Sequence, residues 1–129
     1  MNKCIVPDIV SEDRELVGLS PSDFVRDAAR LMKHRQVGSV LIILDNSLVG
    51  IFTERDLVYR IVAEGLDPDL TPLHEVMTSN PDTVDINSDP IVALRMMQDR
   101  GYRHLPVTRD GNLIGIVSRR DFFDLEKKL

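Results

Sequence analysis

Apolar positions along the chain change period several times, and the changes come twice in the same order. Val25, Ala28, Ala29 and Met32 recur at helical spacing. Ser20-Pro21-Ser22-Asp23 before them predicts a helix start, with Ser20 as cap and Pro21 at the first helical position. Val40-Leu41-Ile42-Ile43-Leu44 is a continuous aliphatic run of strand length. Asp45-Asn46-Ser47 turns it back into a second apolar run, Leu48-Val49-Gly50-Ile51-Phe52. A short amphipathic helix from Arg55 to about Glu64 follows, stopped by Gly65.

The second pass begins at Ser88-Asp89-Pro90, which opens a helix with Ile91, Leu94 and Met97 facing inward and Gly101 as its stop. Leu105-Pro106-Val107-Thr108 then leads through Asp110-Gly111-Asn112 to Leu113-Ile114-Gly115-Ile116-Val117, a hairpin signal. A last helix runs from Arg120 to about Lys128. Ala28–Arg35 aligns with Ala93–Arg100, and Leu48–Asp56 with Leu113–Asp121, both without gaps at an offset of 65 residues. A helix, two strands and a turn matching in one register point to duplication. Short strands at 15–19 and 82–86 precede the first helix of each copy, so the unit reads strand–helix–strand–strand–helix. The expected boundaries are an N-terminal segment 1–14, repeats at 15–65 and 82–129, and a linker 66–81, in which the prolines of Leu66–Pro72 favour an extended path. A copy of this size buries little surface alone, so the two are expected to pack as one globule.

Composition narrows the function classes. With 43% hydrophobic and 29% charged residues the chain suits a folded core, and 5% aromatics make that core aliphatic. A formal charge of -5 argues against bulk attraction to nucleic acid or an anionic membrane. No apolar run nears the roughly 20 residues that span a bilayer, and Met1–Asp8 lacks the apolar core of a signal peptide. The one cysteine, Cys4, forms no internal disulfide and suits a reducing cytoplasm. His34, His74 and His104 have no metal-ligand spacing, and no metal site is expected. Met32, Met77, Met96 and Met97 read as core filling. No phosphate-binding loop, nucleophile elbow or metalloprotease helix is present, and no metal-and-base pair for nucleotide hydrolysis, so no catalysis is expected.

The sharpest local signals are Gly50-Ile51-Phe52-Thr53-Glu54-Arg55-Asp56 and Gly115-Ile116-Val117-Ser118-Arg119-Arg120-Asp121. Each sits where a strand gives way to a helix, and free backbone N–H groups there favour an anion. The hydroxyl of Thr53 or Ser118 can turn to a ligand, and the Asp a turn later can accept from vicinal ribose hydroxyls. The same residues equally make an ordinary helix cap, with the acid in the first turn.

The chain resembles a tandem cystathionine-β-synthase (CBS) domain pair, or Bateman module, from about Glu15 to Glu126. The resemblance rests on Leu73-His74-Glu75-Val76-Met77-Thr78, on Tyr102-Arg103-His104-Leu105-Pro106-Val107 and on the two Gly-x-x-[Thr/Ser]-x-x-Asp turns in that order. It implies an α/β (α+β) fold of two β-α-β-β-α repeats packed with pseudo-twofold symmetry around two clefts, and a homodimer. It also implies an adenosine-type regulatory ligand, AMP, ADP, ATP or S-adenosylmethionine, with no cofactor required. Asp56 and Asp121 would bind ribose, and Thr53 and Ser118 ribose or phosphate. Ser39 and Val40 in one copy, and Thr83, Val84 and Pro106 in the other, would lie around the base.

Arg103, His104, Arg119 and Arg120 make the second motif the better phosphate site. Their counterparts in the first copy are Gly38, Ser39, Glu54 and Arg55, which leave less positive charge. The resulting expectation is a stand-alone cytoplasmic module, not an enzyme, that reports ligand level to an unidentified effector protein. Its rivals are a ligand-free scaffold or dimerisation module, and a nucleic-acid binder using Arg103, Arg119 and Arg120.

Overall fold

The computed structural model describes residues 16–122. Val17–Pro81 forms one compact unit, and the described residues Asp82–Phe122 belong to another. The first carries β1 (Gly18–Leu19), α1 (Val25–Arg35), β2 (Ser39–Leu44), β3 (Ser47–Thr53), α2 (Glu54–Asp56), α3 (Leu73–Val76) and β4 (Thr78–Ser79). The second carries β5 (Val84–Asp85), α4 (Pro90–Arg100), β6 (His104–Arg109) and β7 (Asn112–Ser118), then a 3-10 turn at Arg119–Phe122. The sheets run β1-β2-β3-β4 and β5-β6-β7, each with a parallel first pair and an antiparallel hairpin.

The duplication extends to backbone detail. Asp45 and Asn46, and Asp110 and Gly111, take positive φ, as two-residue hairpin loops with right-handed strand twist require. The ladder shifts register between Ile42 and Ile43 and again between Val107 and Thr108, at equivalent points. Helix α4 begins as expected: the Asp89 carboxylate accepts from Ile91 N–H at 3.0 Å, and Pro90 fills the first position. Gly101 ends it at φ 76°.

Three expectations change. Helix α1 starts at Val25 rather than Pro21, because Ser20–Asp23 closes a turn of its own. Asp23 N–H donates to Ser20 O at 3.0 Å, Asp23 carboxylate accepts from Ser20 N–H at 2.8 Å, and Asp27 then accepts from Phe24 N–H at 2.9 Å. The stretch 66–81 is no extended tether. Leu73 and Val76 are buried with the first core, and β4 pairs with β3 through Gly50↔Ser79 and Ile51↔Thr78. The helix from Arg55 is wound mostly as a π-helix over Leu57–Val62, where Ala63 N–H reaches Val58 O. Residues 123–128 of the last expected helix lie outside the described residues, as does Cys4.

The two parallel ladders share one register, but the second begins and ends one rung later, and proline explains it. Leu41 N–H donates to Val17 O at 2.9 Å, but the equivalent position in the second unit is Pro106, which has no N–H. Ile86 N–H donates to Thr108 O at 2.8 Å, but its counterpart in the first unit is Pro21. The first ladder therefore pairs Gly18↔Leu41 and Leu19↔Ile42, and the second Val84↔Val107 and Asp85↔Thr108. Each unit has its own aliphatic core. Val25, Ala28, Met32, Val40, Ile42, Phe52 and Ile61 fill the first, and Val84, Ala93, Leu94, Met97, Leu105, Val107, Val117 and Phe122 the second. Ile91, expected inward, is only half-buried, while Ala93 takes the central place.

Candidate functional site

Each motif begins in the last strand of a hairpin and ends in the first turn beyond it. Gly50 is buried under β4: a Cβ there would stand 2.3 Å from Met77 Sδ and 3.1 Å from Thr78 O. This glycine is required by packing, whatever the motif binds. Thr53 is the last residue of β3 and the N-cap of α2. Its Oγ1 accepts from Asp56 N–H at 3.2 Å, and its own N–H donates to Asp56 Oδ2 at 2.9 Å, a reciprocal capping box. Ser118 repeats half of this: its N–H donates to Asp121 Oδ2 at 2.7 Å, and its Oγ lies 3.3 Å from the same oxygen. The cap reading is thus realised at Thr53, while the Ser118 hydroxyl meets the Asp121 carboxylate instead, and both arrangements orient the carboxylate toward its own strand end.

The ladders bring further predicted residues to the same places. Ser39 faces Thr53 across β2–β3, and His104 faces Ser118 across β6–β7. Glu54 N–H donates to Gly38 O at 3.0 Å and Arg119 N–H to Arg103 O at 2.8 Å, so the segment before each β2-type strand is tied to the motif. Thr53, Asp56, Ser118, Asp121, His104 and Arg119 are half-buried, and Arg103 and Arg120 exposed. Ser39 and Pro106 are buried. Thr83 is exposed beside β5, but Val40 and Val84, expected to flank a base, are members of the two apolar cores. Both valines sit on strands buried by helix and sheet neighbours, so their side chains serve packing first.

Two partnerships escaped the sequence reading. Arg60 lies 3.5 Å through Nε from Asp56 Oδ1, and its Nη1 donates to Val76 O at 2.8 Å. The spacing of four residues is a signal for such a pair, but the reach to Val76 needed the tertiary fold. In the second unit Asp82 Oδ2 accepts from both Tyr102 Oη–H and Arg100 Nη1–H. The Tyr102 hydroxyl, and then the Arg100 guanidinium, hold the Asp82 carboxyl below its ordinary value, and the same bond to Asp82 pushes the Tyr102 phenol up. Glu54 is exposed, and Arg55 lies over the Tyr59 ring at 5.2 Å.

Among the described residues no group of three or more His, Cys, Asp or Glu is placed to hold a metal ion. No helix among them is long and apolar enough to cross a membrane.

Similarity to known proteins agrees with this geometry. A CBS-domain-containing protein of Arabidopsis thaliana, CBSCBSPB1, is 34% identical over 110 residues, which are 84% of this chain but 20% of that protein. The chain thus spans about a fifth of the length of that relative. A CBS-domain-containing protein from Agrobacterium tumefaciens superposes with a TM-score of 0.85 at 29% identity, covering 94% of this chain and 98% of the other. A CBS domain protein from Pyrobaculum aerophilum, solved as a complex with AMP, superposes with a TM-score of 0.80 at 28% identity, covering 89% and 87%. The CBS domain model matches residues 6–63 and 73–128, and the chain belongs to the CBS domain family as a tandem pair.

Proposed function

We propose that the protein is a non-catalytic regulatory module that binds an adenine nucleotide, with Ser118 and Asp121 as the principal ribose and phosphate contacts. The observation that carries this reading is the pair of Gly-x-x-[Thr/Ser]-x-x-Asp turns, placed identically at the ends of two equivalent hairpins. The AMP complex of the similar Pyrobaculum aerophilum protein supports the choice of ligand class. Around Ser118 the flanking Arg103, His104, Arg119 and Arg120 favour a phosphorylated ligand. At the first motif the positions matching Arg103, His104 and Arg119 are Gly38, Ser39 and Glu54, which offer a phosphate less positive charge. Thr53, Asp56, Ser39 and Val40 therefore form the weaker site.

In this reading the ligand acts by binding one arrangement of the module better than another, and the change passes to an effector protein. The module works as a homodimer in the cytoplasm. Titration calorimetry with AMP, ATP and S-adenosylmethionine tests it. Asp121→Ala should remove most of the nucleotide affinity while Asp56→Ala leaves it largely intact, and the reverse pattern refutes the ranking. Absence of heat with all three ligands refutes the sensor reading and leaves a scaffold.

A further inference from the structure

The second unit lacks a backbone bond that the first possesses, and it carries a side-chain cluster at the same spot. In the first unit Leu41 N–H holds Val17 O, so β1 is anchored up to the residue before Gly18. In the second unit Pro106 cannot donate, and pairing of β5 begins only at Val84↔Val107. Asp82 and Thr83 therefore lie beyond the ladder. Yet Asp82, the counterpart of Val17, accepts from Tyr102 Oη and Arg100 Nη1, each at 2.5 Å. Tyr102 stands where the first unit has Val37, so the first unit cannot build the same cluster. The ring of Tyr102 packs on the second core, which fixes its hydroxyl.

The geometry points to Asp82, Tyr102 and Arg100 as a side-chain clasp that replaces the missing ladder bond and positions the nucleotide-contacting segments of the second unit. The clasp joins two stretches that run directly into those segments. Asp82 precedes Thr83 and Val84, and Arg100–Tyr102 precedes Arg103 and His104. Arg103 O in turn accepts from Arg119 N–H, and His104 faces Ser118 across the ladder. Thr83 on one side and the Arg103–Ser118 side on the other are thereby held in one relation. These are positioning residues: they act through the groups beside them. The role in ligand binding rests on the nucleotide reading above; the clasp itself does not.

The test uses the full chain, with AMP as probe and amide hydrogen exchange of Ile86, whose N–H donates to Thr108 O at 2.8 Å. Tyr102→Phe keeps the packed ring and removes only the hydroxyl. It should speed Ile86 exchange and weaken AMP binding, each by about three- to ten-fold, in line with the net loss of one ordinary hydrogen bond. Asp82→Ala should do the same. The double substitution Asp82→Val, Pro106→Leu installs the first unit's residues and restores a donor, so its Ile86 exchange should return to the wild-type rate. Unchanged exchange in Tyr102→Phe and Asp82→Ala overturns the clasp. Faster exchange with wild-type AMP affinity overturns its role in the site. A wild-type chain that takes up no AMP refutes the nucleotide reading, and the exchange measurements then decide the clasp alone.

Discussion

Gly50→Ala gives the most direct check on how β4 is held against the first motif. A methyl group at Gly50 would meet Met77 Sδ at 2.3 Å, Met77 Cγ at 2.9 Å and Thr78 O at 3.1 Å. The thioether can swing away, but Thr78 is in β4, whose ladder bonds to Gly50 and Ile51 fix its backbone. Overpacking of this kind costs about 1–3 kcal/mol. Replacing a strand glycine by alanine returns about 0.5–1 kcal/mol of chain entropy. The net expectation is a loss of about 1–2 kcal/mol. For a chain of this size that lowers the melting temperature by roughly 3–8 °C. Thermal unfolding followed by circular dichroism measures it. Because Met77 supplies the two nearest atoms, Met77→Ala should relieve part of the clash. A double-mutant cycle should therefore return a favourable coupling of about 1 kcal/mol. An unchanged or raised melting temperature in Gly50→Ala, or zero coupling to Met77, would refute the argument that β4 dictates this glycine.

Two further outcomes follow from the hydrogen bonds. Thr53→Ala removes the acceptor for Asp56 N–H and should cost about 1 kcal/mol in chemical denaturation, whereas Thr53→Ser should stay near wild type; equal loss in both would show that the cap does not matter. Tyr102 should ionise above its ordinary value of 10.0, and the shift should shrink in Asp82→Asn. Because the folded state holds that proton more tightly, the contribution is full below pH 10 and fades as pH rises through the folded value. Asp82, held low, contributes above the ordinary carboxylate value of 3.8 and loses its contribution as pH falls through its depressed folded value. The chain has two tyrosines and no tryptophan, so absorbance titration of a Tyr59→Phe variant isolates Tyr102.

The amino-acid order by itself determined the duplication, the hairpins and the caps. Those features depend on residues a few positions apart: Asp110-Gly111 makes its turn, Asp89-Pro90 opens its helix and Thr53 caps the turn it precedes. The register of 65 residues carried both motifs to equivalent places before any contact was known. The start of α1 misled, because Ser20-Pro21 has the pattern of a helix start, and only the structure shows that Ser20–Asp23 closes a separate turn before Phe24 becomes the N-cap.

Other features belong to the tertiary structure alone. Val40 and Val84 have the chemistry of a base-flanking wall, and only the packing around their strands shows that they also belong to the two cores. Pro68 and Pro72 suggest a tether, yet Leu73, Val76 and Met77 just beyond them fold back over β3. Pro21 and Pro106 are plain in the sequence, but that each deletes a different rung of an otherwise identical ladder needed the strands in place. Arg100 and Tyr102 lie 18 and 20 residues from Asp82, a separation that no helical or strand period connects. Local patterns set which elements form; contacts closed over longer loops set which side chains meet.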